Sequence, residues 1–480
     1  MTTVSEGQEA WKKLHPASLL VNLVPMAWRT LRVGWPFLLA LTVGGGVQGL
    51  VDLSIFLLFG ALAVGRTVTH FLTLRYRVAA GRLHIRSGLF GRTDRVIDPA
   101  RIQNMELVQN LFHKVAGLVE LRIETAGDSG IEGGAEGLLS ALSLAEAEDL
   151  RRRLGRTGAQ VEANPDPSDA IDAPGLVEVV AYGVSVGRVG AVAIALGLLL
   201  EGLGQLPGAG LGAAGNLGSS AIVGLVLLAL AGGYAVSVGN AVLRYFNHRW
   251  WRRGDSLHFE SGLFTRRRMD IPLAKVQLVR VSQPILRRWM GYCTLLLETA
   301  AAGTPSAAGG TEGVVPMVPS EEMHDRVRAC FPAVDVDVGG RLFPCAPAAV
   351  GRAVFYGALR WAILAAIVSF VVGATWAWLL VPWGAVVGFL DARWQGWMLS
   401  DGFIVVRRGF LRRDTWVLPR AKVQSIHWFQ SPGMRMSGLG RVVVWLPGGR
   451  LALPDIHAER ARGLYDELVA GGATTHRSTT

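Results

Sequence analysis

The sequence has few of the groups on which enzymes and metal proteins usually depend. Its cysteines are Cys293, Cys330 and Cys345, and none stands in a C-x-x-C spacing. Neither a disulfide framework nor a zinc site is therefore predicted. The histidines are scattered along the chain without the spacing of metal ligands. We expect no catalytic residues, no bound metal and no cofactor, and a protein that is not an enzyme.

Charged residues are also scarce. They make up 18% of the 480 residues, against about 25% in an average globular domain, while half of the chain is apolar. The N-terminus shows no short apolar run between a basic start and a small-residue cleavage site, so no cleaved signal peptide is expected. The shortage of charge instead indicates segments that lie in a membrane.

Apolar runs occur in three pairs, most of them near the ~20 residues that cross a bilayer as a helix. We expect six transmembrane α-helices in three hairpins at 29–74, 176–246 and 349–392, with a tight turn around Pro382 in the last. The hairpin loops contain no Lys or Arg, whereas basic residues cluster at the other ends of the helices. The positive-inside rule then places everything outside the hairpins in the cytoplasm.

Each hairpin leads into one copy of a repeated pattern. A glycine is followed after 15 residues by a glutamine, 6 residues later by a second glutamine and 8 residues after that by a second glycine. The same spacing in all three copies defines three repeats. Structural roles are assigned to the repeat-defining residues, which are Gly88, Gln103, Gln109, Gly117, Gly262, Gln277, Gln283, Gly291, Gly409, Gln424, Gln430 and Gly438.

Each repeat is predicted to be a sheet followed by a helix. Apolar and polar residues alternate over short stretches such as 118–125, a pattern typical of half-buried antiparallel strands. Ser143 and Glu146 have the spacing of a capping box at a helix start, and Asp455 or a neighbour is expected to cap the last helix.

The repeats resemble a known family through a small set of motifs. The matching residues are Leu14-His15-Pro16, Ser87-Gly88-Leu89, Arg101-Ile102-Gln103, Gln109, Gly117-Leu118 and Glu124-Thr125-Ala126-Gly127. The chain is similar to the bacterial membrane-flanked PH-like domain family, and in its three copies to the YdbT-like members. The resemblance implies a PH-like β-barrel or sandwich with a C-terminal helix in each module. Copy three departs from the pattern, with Val444-Trp445-Leu446 in place of Glu-Thr-Ala.

Together the repeats and the resemblance predict a multi-pass protein of the bacterial plasma membrane with cytoplasmic modules. The expected segments are an N-terminal tail with an interfacial segment (1–28), hairpin 1 (29–74), module 1 (75–156), a linker (157–175), hairpin 2 (176–246), module 2 (247–332), a linker (333–348), hairpin 3 (349–392), module 3 (393–470) and a disordered tail (471–480).

Basic residues recur just after the first glycine of each repeat. The candidate contacts to headgroups or to a partner are Arg92, Arg95, Arg266, Arg267, Arg268, Arg412 and Arg413. A basic residue near an anionic membrane surface contributes about 1 kcal/mol. The alternative is a solvated loop that keeps the protein soluble.

The sequence predicts a non-enzymatic scaffold or a lipid- or protein-binding role. The alternative is a subunit of a membrane transport or envelope-stress complex. The expected partners are the lipid bilayer, anionic headgroups, and another membrane protein or a second copy of the chain. Nucleic acid is not expected, because the basic residues are divided over three modules without a set of stacking aromatics.

Overall fold

A computed structural model describes residues 11–15, 54–88 with gaps, 93–125, 137–154, 171–186 except 172, 219–299, 313–335, 339–372, 375–400, 402–447 and 449–477. The chain divides into two compact units. The first unit comprises Met1–Asp169 and Phe264–Ile271, and the second comprises Ala170–Leu263 and Pro272–Thr480.

The described elements are mostly antiparallel strands. The strands are β1 (Lys12–Lys13), β2 (Arg75–Ala79), β3 (Arg82–Ser87), β4 (Thr93–Ile97), β5 (Ile102–Gln109), β6 (Leu118–Thr125), β7 (Gly137–Ser143), β8 (Arg249–Arg253), β9 (Ser256–Ser261), β10 (Arg266–Pro272), β11 (Val276–Pro284), β12 (Tyr292–Thr299), β13 (Gly313–Pro319), β14 (Phe343–Pro344), β15 (Gly396–Leu399), β16 (Phe403–Arg408), β17 (Arg412–Pro419), β18 (Ser425–Phe429), β19 (Leu439–Leu446), β20 (Gly449–Ala452) and β21 (Ile456–His457). The α-helices are α1 (Leu111–Ala116), α2 (Leu144–Leu154), α3 (Leu176–Val186), α4 (Ser219–Tyr245), α5 (Ile285–Trp289), α6 (Met323–Cys330), α7 (Pro347–Val372), α8 (Leu380–Arg393), α9 (Pro432–Met436) and α10 (Ala458–Arg477).

The first unit builds a core between two sheets and a helix. One sheet has the order β1-β2-β3-β4, and the other contains β7-β6-β5-β10. Apolar side chains from both sheets meet Leu150 and Leu154 of α2 in one buried cluster. The capping box at the start of α2 is confirmed, because the Ser143 N–H donates to Glu146 and the Glu146 N–H donates to the Ser143 hydroxyl.

The second unit contains the third module and most of the second. Its larger sheet has seven strands in the order β13-β12-β11-β17-β16-β15-β14. The third module adds β18-β19-β20, with β21 paired to β19. Leu464 and Leu468 of α10 pack on the core of this module. The sheets and C-terminal helices agree with the PH-like module that the resemblance implies.

One strand of repeat two and one strand of repeat three each pair with a strand of the preceding repeat. The alternation of apolar and polar residues within one repeat does not predict this pairing. Strand β10 of repeat two pairs antiparallel with β5 of repeat one, with Arg266 opposite Gln109. Strand β17 of repeat three pairs with β11 of repeat two, with Arg413 opposite Gln283. Both junctions therefore have the same register, since the residue four positions after the first repeat glycine always faces the second repeat glutamine.

Helices α7 and α8 form a closely packed pair. Glycines on α8 allow this contact: a Cβ on Gly388 would lie 2.4 Å from the Ala353 carbonyl oxygen, and one on Gly384 would lie 2.7 Å from the Gly357 oxygen. Gly384 and Gly388 have the G-x-x-x-G spacing common where membrane helices touch. The outer surface of the pair is apolar, and Phe370 is 92% exposed.

The prediction of six transmembrane helices is wrong. In the part of the chain that the structure describes, two segments are long and apolar enough to cross a membrane, Pro347–Phe370 and Thr375–Arg393. Helix α3 lies in predicted hairpin 2, but its 11 described residues rise only about 16 Å. Apolar composition alone therefore overestimated the number of spans. Residues 29–53 of hairpin 1 and 187–218 of hairpin 2 lie outside the described residues.

Three smaller predictions also need correction. The turn of the last hairpin does not lie at Pro382, which is in the first turn of α8; the chain leaves α7 at Val372 and continues through a 3-10 helix at Thr375–Leu379. Helix α10 extends to Arg477 rather than ending near residue 470. The Asp455 carboxylate binds arginines and is therefore not the expected cap of α10.

Candidate anion-binding site

A cavity of about 280 Å³ lies where the α7–α8 pair meets the third module. Arg352 and Tyr356 are one turn apart on α7, so both face the same side of that helix. Strands β16 and β19 and the segment before β21 bring further polar side chains to the same place. The polar residues that line the cavity are Arg352, Tyr356, Gln395, Arg408, Arg441 and Asp455.

Three arginines and one carboxylate make the cavity lining positive. Asp455 is 7% exposed and accepts two hydrogen bonds from Arg441, at 2.6 Å from Nε and 3.1 Å from Nη2. Arg352 forms an ion pair with the same carboxylate. Arg408 donates through Nη2 to the Leu453 carbonyl at 2.8 Å, but among the described residues its buried Nε has no partner. Asp455 thus pairs with two of the three guanidinium groups, those of Arg352 and Arg441.

Burial and the neighbouring positive charges disfavour the cationic forms of Arg408 and Arg441. Burial, and after it the charge of Arg441, lower the pKa of Arg408 to about 10 against the opposing effect of Asp391. Burial and the charge of Arg352 also lower the pKa of Arg441. A low arginine pKa means that the cationic form is disfavoured, so an anion entering the cavity would relieve this cost. One guanidinium group can donate two hydrogen bonds to the oxygens of a single phosphate or carboxylate.

The basic residues proposed from sequence lie elsewhere. Arg92 lies outside the described residues, and Arg95 is on β4. Arg266–Arg268 are not on a free loop, because they belong to β10 and pair with β5. Arg412 is on β17 and contacts Ser282 of β11. Arg413 stacks over the Trp394 ring at 4.6 Å, and burial lowers its pKa to about 10.

Four of the six repeat glutamines donate hydrogen bonds within the protein. The Gln109 amide donates to the Leu118 carbonyl at 3.0 Å, and the Gln430 amide donates to the Leu439 carbonyl at 2.8 Å. Gln283 donates to the Ser320 hydroxyl, and Gln277 donates to the Lys275 carbonyl. Gln424 is exposed, and the side chain of Gln103 lies outside the described part of the chain. The described bonds tie a strand end to a neighbouring backbone or helix start.

The repeat glycines share one backbone conformation. The first glycines, Gly88, Gly262 and Gly409, have φ of 104°, 113° and 88°. The second glycines, Gly117, Gly291 and Gly438, have φ of 67°, 79° and 64°. These values lie in the region that favours glycine, in agreement with the turns that their positions indicate.

Sequence reasoning missed the arginine-lined cavity, although one signal was present. Arg408 stands immediately before the first repeat glycine, where the other copies have Ser87 and Ser261. An arginine in place of a serine at this position distinguishes the third module from the other two. Asp455 was assigned to a helix cap, because a carboxylate just before a helix has that role more often.

Comparison with known proteins agrees with the three modules. The profile of the family described as Bacterial PH domain matches residues 36–157, 183–329 and 352–470, more than half of the chain. The chain therefore belongs to the bacterial PH domain family and carries the domain three times, as the resemblance implied.

One curated relative matches over nearly the whole chain. It is UPF0699 transmembrane protein YdbT of Bacillus subtilis (strain 168), which is 23% identical over 449 residues, covering 88% of this chain and 89% of the relative. No solved structure matches the chain.

Proposed function

We propose that this chain is a non-catalytic membrane protein whose third PH-like module binds the acidic headgroup of a membrane lipid. In this proposal, α7 and α8 cross the bacterial plasma membrane as a hairpin and the modules face the cytoplasm. The exposed apolar surface of the helix pair supports the crossing. Side chains such as Ile367 and Phe370 would contact water if the pair did not lie in lipid.

The observation that carries the proposal is the cavity with Arg352, Arg408 and Arg441 around the single carboxylate of Asp455. The cavity lies near the start of α7 and the end of α8, on the module side of the hairpin. Lipid headgroups occupy this level when the two helices span the hydrocarbon core. A phosphate there would lie beside the side chains of Arg352, Arg408 and Arg441, and the lipid chains would lie beside the two helices.

The test compares lipid-dependent thermal stability of the purified full-length protein in detergent. A ligand that binds only the folded state raises its stability with concentration. We expect phosphatidylglycerol to raise the melting temperature more than phosphatidylcholine does. The melting temperature is also measured with inorganic phosphate alone, which tests whether the site binds a free anion or needs a lipid headgroup. Equal stabilisation by the two lipids contradicts the proposal, and full stabilisation by phosphate alone assigns the site to a soluble anion.

Arg408→Gln tests the cavity itself. The variant keeps a donor for the Leu453 carbonyl but removes the charge, so the phosphatidylglycerol effect should fall severalfold. Arg450→Gln is the matched control, because Arg450 is an exposed arginine of the same module that lies over the Trp445 ring. An undiminished lipid effect in Arg408→Gln, or an equal loss in the control, would remove the cavity from the proposal.

A further inference from the structure

Among the described strands, the two junctions leave one strand at each end of the series without a partner strand from another repeat. Strand β5 is covered by β10, and β11 is covered by β17. The equivalent strand of repeat three, β18, pairs with β19 and forms the end of its sheet among the described strands. Strand β4, the counterpart of β10 and β17, pairs with β3 and ends the first sheet. We call the open edge of β18 in the last repeat the acceptor edge, because its counterparts β5 and β11 receive a strand from the next repeat. We call the open edge of β4 in the first repeat the donor edge, because its counterparts β10 and β17 supply that strand.

The side chains of β18 are exposed where those of its counterparts are buried. Trp428 and Phe429 are 38% and 50% exposed. Residues at the same repeat positions in β5, Leu107 and Val108, are 4% and 5% exposed. In β11 they are Val281 and Ser282, each 1% exposed. The same positions are therefore covered wherever a strand from the next repeat is present.

The donor edge shows the same contrast. Val96 of β4 is 49% exposed, whereas Val417 at the equivalent position of β17 is fully buried. In its junction, Val417 lies opposite Val279, which is also fully buried. The common register would place Val96 opposite Ile426 of β18. An apolar pair would thereby be buried at the position where the second junction already buries one.

We infer that β18 of one copy of this chain pairs with β4 of a second copy, in the register of the two internal junctions. An unpaired edge with large apolar side chains is a template for another strand, and the chain itself carries the strand type that fills this template twice. Because the two surfaces differ, the contact is heterologous and allows more than two copies to join in succession. Confinement of both copies to one membrane would raise their effective concentration.

The first experiment tests the register between full-length copies in native membranes. Two copies with different tags are co-expressed, one with Val96→Cys and the other with Ile426→Cys, and are then oxidised. Directly opposed residues on antiparallel strands lie close enough to be linked, so a disulfide containing both tags should form. The native cysteines Cys293, Cys330 and Cys345 are buried, which keeps the background low.

The matched control moves one cysteine by a single position. With Val96→Cys in one copy and His427→Cys in the other, the thiols face opposite sides of the sheet, so the disulfide should be at least severalfold weaker. Absence of a disulfide in both pairs overturns the inference. This result is expected if a strand of another protein, and not a second copy, covers β18. Equal yields in both pairs also overturn it, since random collision has no register.

The second experiment measures the copy number of the protein reconstituted in bilayer nanodiscs. Trp428→Lys places a charge on the acceptor edge and should reduce the wild-type oligomer to single copies. Trp445→Lys is the matched control, because Trp445 is also 38% exposed but lies on β19, which is already paired. Unchanged melting of Trp428→Lys would show that the fold is intact. A wild-type protein found only as single copies would overturn the inference.

Discussion

At the scale of single residues, the first glycine of the third repeat occupies a position where a side chain would be strained. Gly409 has a φ of 88°, and a Cβ built on it would lie 1.9 Å from the Arg412 carbonyl oxygen. Gly409→Ala should lower the free energy of unfolding by at least about 2 kcal/mol, because it combines a left-handed backbone with a backbone clash. Thermal melts of the full-length protein measure this loss.

The control for that prediction is Gly463→Ala on α10. A Cβ there meets nothing within 4 Å, and alanine in a helix is more stable than glycine by up to about 1 kcal/mol. Equal melting of wild type and Gly409→Ala would show that the turn tolerates a side chain. The argument extends to Gly262→Val, since Gly262 has a φ of 113°.

A second residue-scale prediction concerns pH. Burial lowers the pKa of His248 to about 3, and its ring lies between Tyr245 and Phe259. A histidine in the unfolded chain titrates near 6.5. Between these two values the unfolded state binds a proton that the folded state does not, so stability falls as the pH is lowered. The loss should approach about 1.4 kcal/mol per pH unit well below 6.5.

His248→Phe should remove this contribution, which melting temperatures between pH 7 and 4.5 would reveal as a flatter profile. His457→Gln serves as the control, because His457 is exposed. The same pH profile in His248→Phe and in wild type would assign the acid sensitivity to other groups.

Residue roles could be read from the sequence only where the repeat fixed them. The repeat assigned structural roles to six glycines, and the backbone has a positive φ at all six. The cavity could not be predicted in this way, because Arg352, Arg408 and Asp455 come from three separate segments. Only the tertiary fold brings them together.

At the scale of elements, the contact between α7 and α8 depends on glycine. Gly388→Ala should destabilise the pair by about 1–3 kcal/mol, the usual cost of overpacking, because its Cβ would approach the Ala353 oxygen to 2.4 Å. Gly351→Ala on α7 is the control, since its Cβ meets nothing within 4 Å. Melting of the purified protein in detergent distinguishes the two, and equal stability would mean that the helices can separate without cost.

Strands within a repeat were predictable, but the junctions between repeats were not. Alternation correctly indicated strands such as β3 and β6, which pair with neighbours in sequence. The solvated loop that was the alternative for the arginines of β10 is a strand, and its partner β5 belongs to a different repeat. A local pattern reports which residues form a strand and does not specify the strand that lies beside it.

At the scale of the whole molecule, the proposed topology has both ends of the α7–α8 pair on the cytoplasmic side. Single cysteines at Thr375, Asp335 and Arg450 would test it in intact cells with a membrane-impermeant maleimide. Thr375→Cys, beside the hairpin turn, should be labelled from outside. Asp335→Cys and Arg450→Cys should be labelled only after lysis. The reverse pattern would place the third module outside the cell.

The repeat count was predictable from the whole sequence, whereas the number of membrane spans was not. The fixed spacing of the glycines and glutamines identifies three repeats whatever the apolar composition of the segments between them. Helix length, however, depends on where each apolar run begins and ends as a helix, which composition does not specify.

The register of the junctions has a consequence for biosynthesis. The sheet of the first unit contains β10, which lies more than a hundred residues beyond the end of α2. At a translation rate of about 5–20 residues per second, β10 is synthesised roughly 8–30 seconds after β5. A nascent chain stalled in that interval would expose the Leu107–Val108 edge. A truncation after α2 would expose it permanently, so the first module is expected to need the second to remain soluble.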